Sequence, residues 1–96
     1  MKMINAVHAN SLDNCVTLTA SADTGDRVCY FDGDTEEYVT ARAETPIWHK
    51  LAIRPVEKDG NVYKYGAVIG VATENIAAGD HVHTHCLCSP GMDCDL

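Results

Sequence analysis

Gly79-Asp80-His81-Val82-His83-Thr84-His85-Cys86 is the stretch on which the reading of this chain turns. Three histidines alternate with small or β-branched residues directly after a Gly-Asp turn. Alternation is the period of a strand, so His81, His83 and His85 are expected on one face. Just upstream, Gly66-Ala67-Val68-Ile69-Gly70-Val71-Ala72-Thr73 reads as another strand. Glu74-Asn75-Ile76-Ala77-Ala78 reads as a short helical turn or loop that joins the two into a hairpin.

Moving outward, the same grammar recurs. Residues 3–9, 15–20, 27–31, 37–43, 50–54 and 62–65 read as short strands. They are separated by the turn cluster 10–14, by Gly25-Asp26, by Asp32-Gly33-Asp34, by a corner at Pro46-Ile47-Trp48-His49 and by a polar loop with Asp59-Gly60. Asp-Gly supplies the positive φ that tight hairpin turns require. No window of ten residues carries a helical period, so the chain is expected to be all-β. Residues 15–28 also echo residues 69–82: strand, short loop, Gly-Asp, strand, at identical spacing. Two copies of one hairpin imply a pseudo-two-fold axis. In the first copy Arg27, Cys29 and Phe31 stand where the histidine row stands in the second, so the fold belongs to both copies and the chemistry to the later one.

The 96 residues suffice for one small domain but not for a large enclosed active site. A net charge of -7 argues against nucleic acid and against an anionic membrane surface. Met1-Lys2-Met3-Ile4 leads into a polar segment, not a signal peptide, and no apolar run approaches the roughly 20 residues of a membrane span. Five cysteines, an odd number, fit a reducing cytoplasm better than a disulfide scaffold. Cys15 and Cys29 sit in apolar runs and read as small buried hydrophobes. Cys86 and Cys88 are separated by one residue, not the usual spacing of a zinc knuckle, Cys94 stands loosely beyond them, and their role stays open. Residues 1–87 are expected to form the domain and residues 88–96 a flexible tail.

The ordered series Pro46-Ile47-Trp48-His49-Lys50-Leu51-Ala52-Ile53, Lys64-Tyr65-Gly66, Ile69-Gly70-Val71-Ala72-Thr73 and Gly79-Asp80-His81-Val82-His83-Thr84-His85 resembles the SAF domain of the altronate and galactarate dehydratase family. Asp13-Asn14, followed by apolar residues, matches that family's opening strand. The resemblance spans about residues 4–87. It departs at Cys86, where the family usually has Asn, and in the tail that follows. It implies a β-clip, a long hairpin creased twice with internal pseudo-symmetry, which agrees with the echo. It also implies a sugar-acid hydro-lyase that uses a divalent metal, typically iron(II). A related two-subunit enzyme removes sulfite from sulfolactate. On this resemblance the chain looks like the small-subunit version, inactive alone, with the metal held mainly by a larger catalytic chain. A self-associated form is expected where that partner is missing.

Dehydrating a sugar acid means removing the proton next to a carboxylate and expelling the neighbouring hydroxyl. The first step needs a base and a cation for the developing enolate; the second needs an acid or metal on the leaving oxygen. Imidazoles can fill any of these posts near neutral pH. Same-face neighbours on a strand lie roughly 6.5–7 Å apart, so two of the three histidines can share an ion, whereas all three would span about 13 Å. His83 and His85 are therefore taken as catalytic residues and metal ligands, with His81 flanking as a substrate contact. His49, Lys50 and Lys64 are taken as clamps for the substrate carboxylate. The bland alternatives are a solvated or packed histidine row, and an ordinary surface lysine at position 64. His8 reads as a surface residue, and Tyr65-Gly66 as a turn. A non-catalytic β-clip that binds a small ligand or metal remains the competing class.

Overall fold

Gly-containing pairs close the two hairpins that form the body of the protein. The computed structural model describes residues 2–82 and the backbone of residues 87 and 88. Its strands are β1 (Met3–Val7), β2 (Cys15–Leu18), β3 (Arg27–Asp32), β4 (Thr35–Thr40), β5 (Lys50–Ala52), β6 (Asn61–Lys64), β7 (Ala67–Ala72), β8 (His81–Val82) and β9 (Leu87–Cys88). Gly33 (φ 63°) opens the two-residue β3–β4 loop. Tyr65 (φ 55°) and Gly66 (φ 74°), both left-handed, make the β6–β7 loop. Such turns match the twist of the strands they join. The strands form a six-stranded sheet of order β4-β3-β1-β2-β5-β8 and a three-stranded sheet of order β6-β7-β9. The all-β expectation and the β-clip architecture hold.

Each arm of both hairpins is creased in the same way. Turns at 23–26, 46–49, 57–60 and 77–80 each close with an amide-to-carbonyl bond spanning three residues (Asp26 to Asp23, His49 to Pro46, Gly60 to Glu57, Asp80 to Ala77, 2.8–3.1 Å). The third residue of each is left-handed: Gly25 (φ 94°), Trp48 (φ 69°), Asp59 (φ 72°) and Gly79 (φ 94°). The third residue's N–H then donates across to the other arm of its hairpin: Gly25 to Ala41, Trp48 to Leu18, Asp59 to Ala72 and Gly79 to Ala52, at 2.7–2.9 Å. Ahead of each crease, Ala22 pairs reciprocally with Thr45, and Val56 with Ile76. The repeated unit is therefore one creased arm, present four times, rather than the two copies of a hairpin expected from the echo.

A second correction concerns residues 66–86. β7 and β8 do not pair. β7 pairs with β6 and β9, whereas β8 pairs with β5 (Leu51 opposite His81). The crease at 77–80 is the reason: Gly79 N–H donates to Ala52 O, and Ala52 N–H to Asp80 O, which carries the chain to the other sheet. The segment 74–78 is not helical, since Ile76 is bridged to Val56.

Strand alternation on β2 and β5 gives the molecule two cores. Val16, Leu18 and Leu51 face one, with Ile4, Val28, Tyr30 and Ile53. Cys15 and Ala52 face the other, with Val56, Val62, Ile76 and Val82. Leu18 and Leu51 are fully buried, and each such side chain contributes on the order of 2 kcal/mol. β5 is the common member: it pairs β2 of the first hairpin and β8 of the second. Among the described residues, no helix is long and apolar enough to cross a membrane.

Candidate functional site

Pro46 accepts the bond that closes the second crease, and Trp48 completes it in the left-handed region. That conformation costs an L-residue with a bulky side chain roughly 1–2 kcal/mol. The turn turns Trp48 outward, 65% exposed, and delivers His49 to the start of β5. The fourth crease delivers His81 to the start of β8 in the same manner. The two strands are adjacent, so the rings meet: His49 Nδ1 and His81 Nε2 are 2.9 Å apart, with centroids 5.1 Å apart and planes tilted by 41°. Such a contact needs one ring N–H and one ring lone pair, so a single proton lies between the imidazoles.

His81 also lines an open cleft of about 460 Å³ whose walls come from the first two creases, including Ser21, Asp23, Glu44 and Thr45. Among the described residues its charged lining is acidic, Asp23 and Glu44. The two lysines taken as carboxylate clamps lie elsewhere. Lys50 is half-buried on β5, opposite Thr17 and Val82, on the face of the second core. Lys64 is 3% exposed, which overturns the surface-lysine alternative. Both cations act on the thiol of Cys15, and both oppose the burial that pushes it up to about 11. The structure thus brings His49 and His81 together and sets Lys50 and Lys64 apart from them. His83 and His85 lie outside the described residues, as do Cys86 and Cys94.

Among the described residues no group of three or more His, Cys, Asp or Glu side chains can hold a divalent metal. The 2.9 Å contact between His49 and His81 fills the space between their facing nitrogens. The described residues do not fit a resident metal.

Buried polar residues near the chain's start do structural work that the sequence reading did not assign to them. Asp13 is fully buried, and its carboxylate accepts from Tyr65 N–H (2.9 Å) and Gly66 N–H (2.8 Å). Asn14 beside it accepts from Tyr63 N–H and donates to Asn61 O. This pair clamps the β6–β7 hairpin onto β2, and the Asn10 amide fills the space where a Gly66 Cβ would sit, 2.8 Å away. Their position just before the apolar run 15–18 was the available signal. His8 is the other surprise. Its side chain is 1% exposed, its ring nitrogens lie 3.1 Å from Phe31 O and 2.9 Å from Asp13 O, and it packs edge-on against Tyr30. A neutral ring donates to only one of two such carbonyls.

A sequence model of the altronate/galactarate dehydratase SAF domain matches residues 4–90. Altronate dehydratase of Escherichia coli is 39% identical over 79 residues, which is 82% of this chain and 15% of that enzyme. The (2R)-sulfolactate sulfo-lyase subunit alpha of Paracoccus pantotrophus is 36% identical over 59 residues, 60% of this chain and 88% of that subunit. Its counterpart in Chromohalobacter salexigens is 50% identical over 40 residues, 42% of this chain and 43% of that one. The chain therefore spans a small part of the long relative and most of the Paracoccus subunit. With its creased all-β architecture and a match over residues 4–90, the chain belongs to the altronate/galactarate dehydratase SAF-domain family.

Proposed function

We propose that this chain is the SAF unit of a cytoplasmic sugar-acid hydro-lyase, acting as a small subunit whose site is completed by a larger catalytic chain. The observation that carries the reading is the 2.9 Å hydrogen bond between His49 and His81 at the cleft. Two imidazoles that share a proton can take one up and pass it on near neutral pH, as hydroxyl departure from an enolate requires. His83 and His85 follow His81 at strand spacing and are proposed to extend the row into the shared site. Any divalent metal, iron(II) in the first instance, is proposed to sit mainly on the larger chain, with His83 and His85 reaching it. The relatives support a two-part enzyme: one matched region is 15% of a long dehydratase, and another is 88% of a chain named as a subunit. The free thiols of Cys15 and Cys29 accord with a reducing compartment.

The test is co-expression with a larger dehydratase-like chain from the same cell, followed by assay on altronate and galactarate with added iron(II). Turnover is expected from the pair and not from this chain alone. His49→Gln and His81→Gln should each lower kcat about 10²-fold while the circular dichroism stays native. Full activity in both variants would remove the imidazole pair from the reaction. A second reading follows from the match over 88% of a sulfo-lyase alpha subunit. Sulfite released from (2R)-sulfolactate, with no dehydration of either sugar acid, would select it.

A further inference from the structure

Lys64 ends β6 just before the Tyr65-Gly66 loop, and it is 3% exposed. Its Nζ is shielded from solvent and has no hydrogen-bond partner among the described residues. What it does touch is a ring: the ammonium lies 4.4 Å from the Tyr65 centroid. A π face returns only part of the hydration that a buried cation loses. The buried Asp13 carboxylate makes no hydrogen bond to it and accepts from the Tyr65 and Gly66 amides. Those same bonds hold Tyr65 in its left-handed conformation, with the ring over Lys64 and 72% of the residue exposed. So a cation is shielded from solvent with the exposed Tyr65 ring against it. Lys50 is the second cation on this face, since both lysines act on the thiol of Cys15.

We propose that Lys64 is a receptor for a carboxylate, which reaches it when the Tyr65 ring swings aside, with Lys50 as the supporting positive charge. The group recognised is the same whether it arrives on a free hydroxy acid or on an Asp or Glu side chain of a larger chain. Lys50 lies on the opposite face of β5 from the histidine pair; the acid and the larger chain used as probes rest on the lyase reading, whereas the buried cation itself does not. An ammonium suits the task because it is a compact point charge that pairs with one carboxylate oxygen at a time.

The test uses the full chain with 13C-labelled lysine and two arms. In the first, galactarate is added and the Lys64 ε-carbon resonance is followed. In the second, the affinity for the co-expressed larger chain is measured without substrate. Lys64→Met keeps the length and apolar stem of the side chain and removes the charge. A saturable shift at Lys64 that is lost in Lys64→Met identifies the free acid as the source. A drop of about tenfold in affinity for the larger chain in Lys64→Met, with no response to galactarate, identifies a protein carboxylate. Thermal unfolding provides an internal contrast: removing an unpaired buried charge should raise Tm while binding falls, whereas a merely structural lysine would lower Tm and leave both arms unchanged. If neither arm responds to Lys64→Met, the receptor is wrong. Tyr65→Ala, which leaves Lys64 in place, decides the matter should Lys64→Met fail to fold: binding must strengthen several-fold in one arm, and no change in either overturns the proposal.

Discussion

At position 26 one carboxylate closes a crease and ties down the start of the chain. Asp26 Oδ1 accepts from Lys2 N–H at 3.0 Å, Oδ2 accepts from Asp23 N–H at 2.9 Å, and the Lys2 ammonium lies 3.8 Å away. These donors, the Lys2 amide foremost, hold the Asp26 carboxyl below the usual carboxylate range. A folded-state value below the unfolded value of about 3.9 means stability that is present above that pH and lost as pH falls through the folded value. Asp26→Asn should therefore have a lower urea midpoint than the parent at pH 7, and the gap should narrow at pH 3. An equal gap at both values would show that charge has no part in it. The residue scale is also where the sequence was least legible. Alternation says which way Lys64 or His8 points along a strand, but not that a neighbouring loop covers it. Asp13 looked like part of a turn because its hydrogen-bond partners lie more than 50 residues away in the chain.

The crease is the element that organises the fold, and its four copies differ in how loudly the sequence announces them. Gly25-Asp26 and Gly79-Asp80 were legible because glycine advertises positive φ. The turns at 46–49 and 57–60 were read only as a corner and a polar loop, because Trp48 gives no signal of positive φ and Asp59 a weaker one than glycine. The two glycines permit a clean comparison. Both have φ 94°, but an added Cβ meets nothing within 4 Å at Gly25, whereas at Gly79 it falls 2.2 Å from Thr40 O. Gly25→Ala should thus cost only the left-handed penalty, about 1–2 kcal/mol. Gly79→Ala should cost that plus the displacement of Thr40, at least doubling the loss in urea or thermal unfolding. Equal losses would mean that the fourth crease is not packed against the end of β4.

For the whole molecule, fold class was readable because many short strands with turn signals between them leave few alternatives to a β body. The sheet partners were not, since a crease redirects a strand without leaving a mark that alternation can register. The candidate site was half legible. The His49 corner and His81 were both identified from sequence, yet their meeting depends on β5 and β8 pairing across two hairpins. The remaining histidines of the row, His83 and His85, lie outside the described residues. Trp48 has an optical consequence. It is the one tryptophan in the sequence, it stands 65% exposed, and its neighbour in the chain is His49. The protein thus carries an exposed intrinsic fluorophore next to one member of its histidine pair. Emission from the isolated chain should resemble that of indole in water, and iodide should quench it. If the proposed larger chain docks on this face, its addition should move the maximum to shorter wavelength and shield it from iodide, a titration that needs neither substrate nor label. An unchanged spectrum at saturating partner would place the contact on another face.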